Sequence, residues 1–162
     1  EMNKDVVVMN GDDVFEFDVL ERALSVRDEK ICLPVKRKPI YEEEDMKVVI
    51  KGDRIIEVGK TLTTSSSAES VGIRVFRYTG VELLKRAIEE EMRTEGAEKK
   101  WYTSAIQRLI KKGYRVKSLD IEDLFWIDVD YPSDLFKARF SSNKISRKLH
   151  EERILRVVGT NL

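Results

Sequence analysis

The sequence predicts an α/β fold, a mixed and mainly parallel sheet with helices on both faces. Three observations carry this. Val6 to Met9 is an unbroken apolar run, followed by a polar turn and a short amphipathic stretch, which reads as strand–loop–helix. A hairpin pattern surrounds Lys51-Gly52-Asp53. Two segments of helical period, from Gly80 and from Trp101, alternate with short β-rich runs.

In chain order, a strand is expected over Asp5 to Asn10, broken by Asn10-Gly11-Asp12-Asp13. Phe17 to Leu24 follows as a helix, with Val19, Leu20, Ala23 and Leu24 apolar. Lys30 to Val35 is a second strand, closed by the basic turn Lys36-Arg37-Lys38-Pro39, and Glu42 to Asp45 reads as a solvated acidic loop. Lys47 to Ile50 and Arg54 to Val58 form the hairpin. Thr61 to Ser70 concentrates serine and threonine and reads as a mobile loop, a possible lid. Val71 to Phe76 is a strand. Gly80 to Arg93 is a helix with Val81, Leu84, Ile88 and Met92 on one stripe. Trp101 to Lys112 is another, stopped by Gly113, with Trp101 and Tyr102 expected in the core. Tyr114 to Ile121 and Phe125 to Asp130 complete the strands, and Pro132 opens a helix running to about Phe140.

Composition narrows the function. The 162 residues are 41% hydrophobic, enough for a core, and apolar runs stop far short of the ~20 residues a membrane span needs. No leader-like segment opens the chain, so a cytoplasmic protein is expected. Thirty basic and thirty acidic residues cancel, which gives no field to attract nucleic acid. A charged share of 37% and a single glutamine, Gln107, lean towards a thermophile. One cysteine, Cys32, and one histidine, His150, exclude a disulfide within the chain and Cys- or His-based metal clusters. Cys32 reads as packing, and His150 takes no role.

Two acidic clusters remain. Asp12 and Asp13 follow the first strand through Gly11, and Asp128 and Asp130, two apart on the last strand, share a face. If the two strands lie side by side, these carboxylates converge. One or two carboxylates with a nucleotide's phosphates suit Mg²⁺. The plainer alternatives are that Asp12 caps the next helix and that Asp128 or Asp130 pairs with a surface cation.

Taken in order, VVVMNGDDVF, KVVIKGDRIIEVGK, VGIRVF, WYTSAIQRLIKKG and FWIDVDYPSDLFKA resemble the sugar-phosphate and alcohol-phosphate nucleotidyltransferases, in particular the inositol-1-phosphate cytidylyltransferases. The likeness runs over about residues 4 to 140. Its most specific piece is Trp126-Ile127-Asp128-Val129-Asp130-Tyr131-Pro132-Ser133-Asp134-Leu135, near the family's W-x-D-V-D-T-P-E-D-L, from which Tyr131 and Ser133 depart. Val58-Gly59-Lys60 matches a recurrent I-G-K.

The resemblance implies a Rossmann-like nucleotidyltransferase domain. It implies an Mg²⁺-dependent enzyme that moves a nucleoside monophosphate, CMP from CTP foremost, onto a phosphorylated polyol, sugar or alcohol such as inositol 1-phosphate. Asp12 and Asp128 match the metal ligands, with Asp130 competing for the second position. Lys47 and Lys60 match lysines near substrate phosphates, with surface lysines as the alternative. Gly11 accompanies Asp12, and Gly72 matches a glycine where backbone nears the acceptor; a plain strand-entry glycine is its alternative. Arg37 and Lys38 read as a solvated turn, with contact to an anionic acceptor as the alternative.

The family's G-x-G-x-R loop, which holds the triphosphate, has no counterpart at Gly11, 52, 59, 72, 80, 96, 113 or 159. Residues 1–140 therefore read as the C-terminal portion of the domain, and 141–162 as a basic helix or linker. The competing readings are a regulatory subunit that binds nucleotide or sugar phosphate without catalysis, and a site completed by a partner chain, such as a homodimer mate. The fragment reading carries a packing expectation, an exposed apolar sheet edge at the first strand.

Overall fold

A computed structural model of the chain describes residues 4–141. The expected basic helix or linker after residue 141, with His150, lies outside the described residues. The strands are β1 (Val6–Met9), β2 (Asp13–Phe15), β3 (Ile31–Lys36), β4 (Lys47–Lys51), β5 (Arg54–Gly59), β6 (Ala68–Ser70), β7 (Ile73–Phe76), β8 (Lys117–Asp120) and β9 (Trp126–Asp128). The helices are α1 (Phe17–Ser25), α2 (Tyr78–Met92), α3 (Thr103–Lys111) and α4 over 132–141.

Seven strands form one sheet in the order β1-β7-β3-β6-β4-β5-β8, and β3 also pairs with β8. β2 and β9 stand apart as a two-stranded ribbon. The sheet is mixed, with helices on both faces, but it is not mainly parallel. Among the described residues β3–β8 is the parallel pairing, and the others are antiparallel. The reason is that an apolar run reveals burial on both faces but not strand direction. Direction is set by connections, and the tight ones here reverse the chain. Gly52, at φ 64°, turns β4 into β5.

Alternation along each strand feeds the two faces. Ile31, Leu33, Val35 and Phe76 point to the larger core with Val48 and Ile55, closed by Val81, Leu84 and Ala87 of α2 and by Ile106 and Leu109 of α3. Cys32 and Val75 face Ala23 of α1, and Ile73 meets Val19. Each fully buried Ile or Phe contributes roughly 1.5–3 kcal/mol. Arg108 of α3 and Lys112, just past its end, reach Glu91 and Glu90 of α2, so the abundant charge clips two helices together.

Four local expectations are corrected. The serine-rich stretch ends in β6, a buried internal strand that pairs with β3 on one side and β4 on the other. The buried stripe of α2 is Val81, Leu84 and Ala87, while the expected Ile88 and Met92 are 37% and 66% exposed. Trp101 is 62% exposed and lies before α3, stacked under the Lys60 ammonium at 4.7 Å, whereas Tyr102 packs on the core. Half-buried Lys38 pairs with buried Asp45, so neither belongs to a solvated loop. β1 is an edge strand whose described partner is β7, with Met9 52% exposed. No described helix is long and apolar enough to cross a membrane.

Candidate functional site

The two acidic clusters do meet, but in the β2–β9 ribbon rather than in the main sheet. After β1 the Asn10 amide donates to the Gly72 carbonyl at 3.0 Å, and the chain turns into β2. β2 and β9 pair with Asp13 opposite Asp128, Val14 opposite Ile127 and Phe15 opposite Trp126. The Val129 amide then donates to the Asp12 carbonyl at 3.1 Å, which carries the pairing one step further.

Carboxylates directly opposite one another repel. Burial raises the pKa of Asp13 to about 6, aided by Asp128 and opposed by the indole N–H of Trp126, which donates to Asp13 Oδ1. Burial also raises Asp128, followed by the charges of Asp12 and Asp130. Asp128 Oδ1 and Asp13 Oδ2 are buried without a partner. Gly72 explains how Asp13 fits: a Cβ at this position would sit 1.4 Å from Asp13 Oδ2.

A cavity of about 370 Å³ is lined by Asp12, Asp128 and Asp130 of the ribbon and its flanks together with Ser70, Arg74 and Tyr102. A second cavity of about 250 Å³ shares Glu69, Asp128 and Asp130 with it. In this second cavity Lys38 Nζ bridges Asp45 Oδ2 and Glu69 Oε2, both at 2.7 Å. Burial pushes Glu69 up to about 7 against the opposing pull of Lys38, because one ammonium serves two buried carboxylates.

Of the residues singled out from sequence, Gly11, Asp12, Lys60, Asp128 and Asp130 line the larger cavity. Lys60 also pairs with Glu44. Lys47 lines neither cavity; its ammonium donates to the carbonyls of Glu43, Asp45 and Lys60, tying the acidic loop to the end of β5. Gly72 lies beneath the site, against Asp13. Two site residues escaped the sequence reading, Glu69 and Arg74, while Asp13 was named in the first acidic cluster without a role of its own. A charge inside an apolar strand, as in Ile73-Arg74-Val75-Phe76, was the signal that could have revealed Arg74.

Among the described residues no group of three or more Asp, Glu, His or Cys side chains forms a metal cage. The donors present still suit a metal shared with substrate. Mg²⁺ takes one or two carboxylates, keeps waters and fills its shell with phosphate oxygens, and the unpartnered Asp128 Oδ1 lacks such a partner.

No protein-family model and no curated protein sequence matches the chain. Solved structures do. The inositol-1-phosphate CTP transferase from T. maritima superposes with a TM-score of 0.63 at 21% identity, covering 81% of this chain and 51% of its own. A nucleoside-diphosphate-sugar pyrophosphorylase from Vibrio cholerae gives 0.59 at 17%, covering 83% and 55%. A CMP:2-keto-3-deoxy-manno-octonic acid synthetase complexed with CTP gives 0.53 at 14%, covering 78% and 54%.

The fold resembles the Rossmann-like nucleotidyltransferase fold of these structures.

The chain spans about half the length of these structures.

Proposed function

We infer that the chain forms the metal and acceptor side of an Mg²⁺-dependent nucleotidyltransferase. CTP is the favoured donor, and a phosphorylated polyol or sugar such as inositol 1-phosphate the favoured acceptor. The observation that supports this most is the convergence of Asp12 and Asp128, singled out from separate acidic clusters, on one cavity. The resemblance of Trp126 to Leu135 and the fold it shares with named transferases point the same way.

In the proposed reaction an oxygen of the acceptor phosphate attacks the α-phosphorus of the nucleoside triphosphate. The bond to the β-phosphate breaks and pyrophosphate leaves. The nucleophile is already ionised, so catalysis is positioning and charge neutralisation. Asp12 and Asp128 would hold Mg²⁺, which supplies positive charge to the phosphates when bound. Asp130 reinforces the negative field at Asp128, and Lys60 stands at the cavity rim as a phosphate contact once it leaves Glu44. The Lys47 geometry supports positioning of the loop around Asp45 rather than substrate contact.

A second reading is a subunit that binds nucleotide or sugar phosphate without catalysis. A pyrophosphate-release assay with Mg²⁺, each nucleoside triphosphate and a panel of phosphorylated acceptors separates the two. Release with one pair, lost in Asp12→Ala and Asp128→Ala, supports the enzyme. Binding of a pair without release supports the subunit.

A further inference from the structure

Arg74 is 2% exposed and sits in β7 on the α3 side of the sheet. Its five N–H donors are poorly served. Nη1 donates to Asn10 Oδ1 at 3.1 Å, Nη2 reaches Ser70 Oγ at 3.5 Å, and Nε has no partner. Among the described residues no carboxylate forms an ion pair or hydrogen bond with it. The ring of Tyr102 lies 5.2 Å from the guanidinium, and the Tyr102 hydroxyl is itself buried and unpartnered. All four residues, Asn10, Ser70, Arg74 and Tyr102, line the 370 Å³ cavity.

A buried cation whose hydrogen-bond partners are all neutral is destabilising unless something compensates it. The charges of Asp13 and Asp128 reach Arg74 through space, but neither carboxylate is hydrogen-bonded or ion-paired to it. Compensation by an anionic ligand fits every one of these features. Arg offers a planar fork that matches phosphate oxygens, Asn and Ser hold the fork in place, and a tyrosine hydroxyl adds a donor.

We propose that Arg74, held by Asn10 and Ser70 and flanked by Tyr102, is an anchor for a phosphate monoester entering this cavity. The anchor deepens the transferase reading, on which it rests only for the identity of the group the phosphate carries. It makes Arg74 the residue that selects acceptors already bearing a phosphate over the free polyol.

The test uses inorganic phosphate and inositol 1-phosphate, without nucleotide or Mg²⁺. Calorimetry reads affinity, and ¹⁵N NMR of the arginine Nε–H groups identifies the contact. Saturable binding that shifts the Arg74 signal is expected. Arg74→Met should weaken it roughly 10- to 100-fold, the loss that follows removal of a charge-assisted bond. Tyr102→Phe, which deletes one oxygen, should weaken it about 2- to 10-fold, and Ser70→Ala likewise. These two keep the test open if Arg74→Met does not fold. No saturable binding by the parent, or binding indifferent to all three substitutions, overturns the anchor. Pyrophosphate release that does not depend on Arg74 also overturns it and leaves the transferase reading intact. Arg74-dependent phosphate binding with no release for any substrate pair upholds the anchor while the transferase reading falls.

Discussion

Replacing Gly72 by alanine tests how the acidic ribbon is built. The added Cβ would lie 1.4 Å from Asp13 Oδ2 and 2.4 Å from its Cγ, so the Asp13 side chain must leave its place. That place is fixed, because the Trp126 indole donates to the other carboxylate oxygen and β2 is registered against β9. Displacement breaks a hydrogen bond to a charged group, about 1.5–3 kcal/mol, and adds an overpacking cost of about 1–3 kcal/mol. Gly72→Ala should therefore destabilise the protein by roughly 3–5 kcal/mol. Asp13→Ala opens the space and leaves the indole N–H unpaired, at roughly 1–3 kcal/mol. In that background the methyl at residue 72 meets no carboxylate and should cost under about 1 kcal/mol, a coupling of roughly 2–4 kcal/mol. Urea unfolding followed by circular dichroism and tryptophan fluorescence measures all four corners of the cycle. Additive effects would refute the claim that Gly72 exists to house Asp13.

Glu69 gives a pH prediction. Its folded pKa of about 7 exceeds the ordinary 4.5, so the folded state holds the proton more tightly and stability falls as pH rises between these values. The ceiling is roughly 3 kcal/mol, and Glu69→Gln should flatten this part of the stability–pH curve measured by urea midpoints. Asp128→Asn removes a proposed metal ligand and a repelling charge. Transfer should fall by roughly 10²-fold or more with no loss of thermal stability, read by a steady-state assay beside a melting curve. Lys47→Met frees three carbonyls of their donor and should cost roughly 1–3 kcal/mol of stability, read from urea unfolding.

Periodicity made most elements legible. The hairpin at Gly52, the helices α2 and α3 and the Pro132 start of α4 all follow from local chemistry that no distant contact overrides. Strand direction did not follow, since Val6–Met9 looks the same parallel or antiparallel. β6 was hidden because Ala68-Glu69-Ser70 has no β-branched residue, and its place is set by Val48 and Val35 on either side. Asp12, Asp128 and Asp130 were legible through a motif. Asp13 was named in the first acidic cluster, but its place opposite Asp128 depends on the ribbon. Arg74 and Glu69 were not legible, because their burial depends on strands brought together from across the chain.

The central claim is that this cavity joins a nucleoside monophosphate to a phosphorylated acceptor. ³¹P NMR of the protein with Mg²⁺, CTP and inositol 1-phosphate reads that bond directly. The account predicts a new pair of coupled phosphoanhydride resonances growing with free pyrophosphate, and neither in Asp12→Ala or Asp128→Ala. No anhydride with any nucleoside triphosphate or phosphorylated acceptor, from folded protein that binds both, would contradict it.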